Sequence, residues 1–224
     1  FVVLAFRFVK SDWKLVKEIN RSKIKEVAKR YEKFPKINSI HAFFDELKNG
    51  GVTFAISYLF SDKVLGFYSM TVRVLKAPLS VIGNSFAQVF LQKSAEMHGN
   101  KQNFVPLIHS ITKKLALIAA PIFIVIIFFG PQLFNFILGD KWETAGVYAQ
   151  FLSPWLFVQF ITAPVAQVAV ISNKQEGLFY ASLINNIIIV GAFVIGGLVF
   201  KSILTSFVLL SVMQMVYTFF LYRW

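Results

Sequence analysis

The chain has 224 residues, of which 56% are hydrophobic, 17% aromatic and 15% charged, with a formal net charge of +12 and a mean hydropathy of +0.63. That balance excludes an ordinary soluble domain, which is less apolar and more charged, and the recurring apolar runs predict an all-α, polytopic membrane protein. There is no cysteine, so neither a disulfide nor a thiolate metal site is available.

The positive charge does not point to nucleic acid, because of where it sits. Eleven Lys and Arg fall in the first 36 residues, between two apolar stretches. A cytoplasmic loop has that composition under the positive-inside rule.

In chain order, residues 1–9 (FVVLAFRFV) read as the end of a preceding transmembrane helix. No signal peptide is visible, and the chain reads as the C-terminal part of a longer protein with an N-terminal half missing from it. Residues 10–36 form a basic cytoplasmic linker in which Ile24, Val27, Tyr31 and Phe34 recur at helical steps. The spacing predicts an amphipathic helix attracted to anionic lipid at the inner surface. Pro35 is expected to mark a break before the next span.

Residues 37–224 are expected to form a six-helix transmembrane bundle, with spans near 37–59, 65–92, 115–129, 146–171, 178–200 and 202–222. The first span carries Asp45, Glu46, Lys48 and Asn49, too many polar groups for exposure to lipid. Asp45 and Lys48 share a helix face, and Asn49 joins Asp45 four residues on.

The second span holds Arg73 and Lys76, one turn apart on one face, with Pro78 following where a kink is expected. A cation at membrane depth costs on the order of 2.5–3.5 kcal/mol, so both residues must face water or a counter-charge. The two spans form a hairpin. Counted from its turn, Lys76 lies roughly 15–20 Å deep and Asp45 roughly 20–25 Å, near enough to pair directly or through water.

Residues 93–114 are polar and basic and belong inside. The third span is the most apolar run, with a kink expected at Pro121, and residues 130–145 read as an outer amphipathic segment with Trp142 at the interface. The fourth span contains Pro154, Gln159, Pro164 and Gln167, and the fifth carries Asn185 and Asn186. In this topology only Lys63, Lys141 and Lys201 lie in outer turns, while most other cations lie inside.

Three stretches carry a family resemblance: AKRYEKFPKINSIHAFF, GFYSMTVRVLKAPLSVIGNSFAQVFLQKSAE and GPQLFNFILGDKWETAGVYAQFLSPWLFVQFITAPV. They resemble the oligosaccharide flippases of polysaccharide biosynthesis, a branch of the multidrug/oligosaccharidyl-lipid/polysaccharide exporter superfamily that includes O-antigen and capsule repeat-unit translocases. They are packing and turn patterns, not a catalytic signature. The resemblance implies two six-helix lobes around a cavity that opens alternately to each side, of which this chain supplies one lobe. It also implies a bacterial inner-membrane location and a lipid-linked oligosaccharide as substrate.

On that reading Arg73 and Lys76, with Lys48, Asn49, Asn84 and Gln88, line the lumen and meet a diphosphate or acidic sugar. The competing reading is that these cations only neutralise Asp45 and Glu46 in a structural network. Asp45 and Glu46 are themselves either charge partners or sites of proton or sodium coupling. Gln159, Gln167, Asn185 and Asn186 either line the lumen or hydrogen-bond between helices.

His41, His98 and His109 show no ligand spacing, and neither a metal nor another cofactor is expected. Nucleophile motifs and phosphate-binding glycine loops are missing from the sequence, so an enzyme is not expected. The alternatives are a multidrug exporter of the same superfamily and, more remotely, a membrane glycan polymerase. The latter is disfavoured because the longest outer segment, 130–145, offers only Asp140 and Glu143 as acids.

Overall fold

Hydrocarbon offers no partner to a backbone N–H or C=O, so a chain this apolar must satisfy those groups internally. The computed structural model describes residues 20–30, 33–99, 105–171 and 175–223, and every regular element among them is helical. In order these are α1 (Arg21–Arg30), α2 (Lys33–Leu59), α3 (Asp62–Gly99), α4 (Val105–Leu138), a 3-10 turn (Asp140–Trp142), α5 (Glu143–Ile171), α6 (Gln175–Leu198) and α7 (Ile203–Arg223). Val105–Leu138, Phe179–Leu198 and Ile203–Leu221 are each long and apolar enough to cross a membrane.

The chain divides into two compact units, Phe1–Ala42 and Phe43–Trp224. In the first, α1 is strongly basic, and its Ile24 and Val27 are exposed three residues apart. The expected helix end over residues 1–9 and the linker through residue 19 lie outside the described residues, as does Tyr31. Pro35 does not break the chain before the following helix. It sits in the first turn of α2, where an N–H has no intrahelical acceptor and its loss costs nothing.

In the second unit α3 runs as one helix of 38 residues through Pro78. At 1.5 Å per residue it is about 57 Å long, well beyond a hydrocarbon core of about 30 Å. Its polar end, with exposed Lys93, therefore extends past the apolar run.

The α4 helix differs more from expectation. Residues 130–138 continue it instead of forming a separate outer segment, and its non-helical residue is Phe129 (φ −123°, ψ 17°), not a position beside Pro121. Pro131 explains the site. It cannot donate to the carbonyl of Ile127, and its ring crowds that group. The Gln150 side chain on α5 supplies the missing donor, 2.7 Å from the Ile127 oxygen.

One turn away the two backbones touch. A Cβ at Gly146 would lie 2.5 Å from the Gly130 carbonyl oxygen, so small residues set the α4–α5 approach. The same device closes α6 on α7, where a Cβ at Gly196 would lie 2.7 Å from the Ser206 Cα.

The helix directions follow from such pairs. Phe123 meets Phe157, and Gly130 meets Gly146, so α4 and α5 are antiparallel. Thr71 bonds to the Ala145 carbonyl at 2.8 Å, and Gly83 faces Phe160, so α3 runs parallel to α5. Asn186 reaches Asp45, Val190 faces Gly51 and Gly197 meets Leu59, so α6 runs parallel to the second-unit part of α2.

An aromatic cluster joins α3, α5, α6 and α7. Tyr68 lies 5.5 Å from Phe193 and 6.0 Å from Phe207, and Tyr148 lies 5.1 Å from Phe207. The Tyr68–Phe193 and Tyr148–Phe207 pairs are edge-to-face and the Tyr68–Phe207 pair is stacked, and both arrangements add to the burial of Phe193 and Phe207, which are fully buried. The cluster fixes Tyr68 at the floor of the site described next.

Candidate functional site: a cationic cavity

A cavity of about 350 Å³ opens within the second unit between α2, α3, α5 and α6. Lys48 and Asn49 come from α2, Arg73 and Lys76 from α3, Trp155 and Gln159 from α5. Helical spacing explains the gathering. Ser69, Arg73 and Lys76 follow one stripe of α3, and Lys48, Asn49, Val52 and Thr53 follow one stripe of α2.

Three cations thus border one small volume. Lys48 donates to Asp45 Oδ1 at 3.3 Å. Asn186 Nδ2 on α6 donates to the same oxygen at 3.1 Å. Asp45 does not border the cavity itself; it steadies Lys48 from one turn away. Among the described residues no carboxylate pairs with Arg73 or Lys76, both of which are exposed. The Lys76 ammonium instead lies 5.5 Å from the centre of the Trp155 ring. Among the described residues Arg73 and Lys76 therefore add positive charge that no carboxylate offsets, which suits an anionic, hydrogen-bonding ligand.

Of the residues expected in the lumen, Arg73, Lys76, Lys48 and Asn49 come together, and Gln159 joins them. Gln88 is exposed on α3 and does not border this cavity; it lies twelve residues past Lys76, about 18 Å along the helix. The side chain of Asn84 lies outside the described residues, as does that of Gln167. Glu46 is exposed and does not border the cavity.

Asn185 and Asn186 bond between helices. Asn185 accepts from Gln214 at 2.8 Å, and Asn186 is buried against Asp45. Sequence reasoning missed Trp155, Tyr68, Ser69 and Thr53. The signal at Trp155 was its place inside the expected fourth span, away from the interface where Trp is ordinarily enriched.

A larger cavity, about 700 Å³, lies between α6 and α7. Its walls are apolar, among them Ile184, Ile188, Val212, Val216 and Phe220, and none of the described residues lining it is charged. Volume alone would favour it, but only the smaller cavity can distinguish a polar head group from a hydrocarbon chain.

Residues 1–147 match a protein family described as polysaccharide biosynthesis protein. No curated protein and no solved structure matches the chain. The matched stretch includes Lys48, Asn49, Arg73 and Lys76 and stops before Trp155 and Gln159.

Proposed function

The chain belongs to the polysaccharide biosynthesis protein family, and from that premise we propose that it translocates undecaprenyl-diphosphate-linked oligosaccharide repeat units across the bacterial inner membrane. Its role in polysaccharide synthesis or export, as a membrane protein, follows from the family and from three strongly apolar helices among the described residues. In the proposal α2 to α7 all cross the bilayer and form one of two lobes, and alternating access carries the head group past the cavity while the lipid tail stays in the membrane. The chain acts as a carrier and not as an enzyme.

The observation that carries this reading is the pair Arg73 and Lys76, facing the cavity without a carboxylate partner among the described residues. A purely structural network would pair them. The forked donors of Arg73 suit a diphosphate, and Lys76 adds a point charge beside it. Asn49 and Gln159 are placed to meet sugar hydroxyls at the same cavity. Asp45 serves as the charge partner of Lys48.

The multidrug reading is weaker, because a cavity ringed by Lys48, Arg73 and Lys76 repels organic cations. The test is flux of a labelled lipid-diphosphate oligosaccharide in proteoliposomes. Arg73→Ala and Lys76→Ala are each expected to lower it about tenfold, the scale of one lost charge-assisted hydrogen bond. Normal flux in both variants, at normal protein levels, overturns the proposal.

A further inference from the structure

We propose that Trp155 is a positioning residue for the substrate head group, acting through Lys76: its ring holds the ammonium in the cavity and leaves the N–H donors free for an anion. This rests on the translocation reading above.

Three observations meet at this pair. The first is geometry. Lys76 Nζ lies 5.5 Å from the Trp155 ring centre, within the range over which a ring quadrupole attracts a cation. The second is rigidity. Trp155 is only 4% exposed and sits among the buried Leu152 and Leu156 on α5, so its ring cannot follow a moving partner. Lysine has four flexible side-chain torsions, and a fixed ring limits where the ammonium can go. The third is the absence of a rival. Among the described residues Lys76 has no carboxylate partner, whereas Lys48 is held by Asp45.

The distinction matters for binding an anion. A carboxylate partner occupies ammonium donors and cancels the charge, so an arriving phosphate must displace it. An aromatic face attracts the cation without accepting all its hydrogen bonds or neutralising it. Lys48 and Lys76 therefore border one cavity in different states, one tethered by an acid and one presented by a ring.

The test measures farnesyl diphosphate binding to the purified full-length protein in detergent, with inorganic pyrophosphate as a parallel probe. Trp155→Leu is expected to weaken farnesyl diphosphate binding ~3- to 10-fold while Lys76 is present, and by less than about twofold in a Lys76→Ala background. Removal of a buried Trp also risks the fold, so a second series substitutes mono-, di- and trifluorotryptophan at position 155 alone. Fluorine drains the ring's negative face with little change of shape. Affinity is expected to fall stepwise with fluorination in the parent and to stay flat in Lys76→Ala.

Equal losses with and without Lys76, or a flat fluorination series in the parent, overturn the positioning role and leave the translocation reading standing. If Arg73→Ala and Lys76→Ala bind both probes as the parent does, the cavity reading itself fails, and the role of Trp155 fails with it.

Discussion

Asp45 accepts hydrogen bonds from Lys48 on its own helix and from Asn186 on α6, so one carboxylate orders two helices beside the cavity. Its magnitude is set by exposure. The side chains of Lys48 and Asp45 are 20% and 36% exposed. The pair is then worth about 1 kcal/mol, not the 3–5 kcal/mol lost when a sealed pair is broken. Asp45→Ala should lower the Tm of the purified protein by roughly 2–4 °C, with a smaller drop for Asp45→Asn, which keeps an acceptor for Asn186. Thermal unfolding of both variants in one detergent measures this, and an unchanged Tm in Asp45→Ala would mean that the carboxylate orders neither helix. The Asp45–Lys48 pair was legible from its spacing of three, because neighbours on a helix need only the helix. Asn186 and Trp155 were not legible as partners. Each joins α2 or α3 through packing between segments more than seventy residues apart, and no local pattern encodes that.

At the scale of elements the clearest departure from sequence expectation is in α4. Pro121 and Pro131 look alike in a sequence, yet the non-helical residue is Phe129, next to the second of them. What differs is the neighbour. Gly130 lies against Gly146, and Gln150 donates to the Ile127 carbonyl that Pro131 leaves bare. Ile127 is on the exposed face of an apolar helix, where hydrocarbon offers no replacement donor, and a carbonyl left unpaired there costs on the order of 1–3 kcal/mol. Gln150→Leu should therefore destabilise the protein by about that much. Pro131→Ala in the same chain restores a backbone donor at residue 131 and should recover a large part of the loss. A double-mutant cycle read by thermal unfolding checks it: additive effects would mean that Gln150 does not compensate for Pro131. The apolar helices were legible because hydropathy and length suffice for them. The ends of α3 and α4 were not, because a helix satisfies its own hydrogen bonds and can leave the membrane without a compositional signal at the boundary.

Over the whole second unit, contacts place three turns at one end. Leu59 lies against Gly197, and Phe67 lies 6.1 Å from Trp142, so the α2–α3, α5-leading and α6–α7 turns gather together. Those turns hold Lys63, Lys141 and Lys201, while the opposite ends of α3 and α4 carry Lys93, Lys113 and Lys114. The sequence adds Lys101, Lys174 and Arg223 to the far side, six cations against three, so under the positive-inside rule the proposed topology puts the turn end outside. The charge count was legible in the sequence because it needs no tertiary information, whereas the parallel pairing of α3 with α5 and of α2 with α6 needed the packed side chains. These 224 residues hold no cysteine, so none of their own thiols competes with a single introduced one. Lys63→Cys, Lys141→Cys and Lys201→Cys should react with a membrane-impermeant maleimide in intact cells, and Lys93→Cys and Lys113→Cys only after the membrane is opened. The discriminating position is Lys63. The α2 helix carries Asp45, Glu46 and Lys48 and is less apolar than α4, α6 or α7. Were α2 not to cross the bilayer, Lys63 would label only from inside while Lys201 labelled from outside. That pattern would take α2 and its Lys48 out of the membrane and leave the cavity without one of its walls.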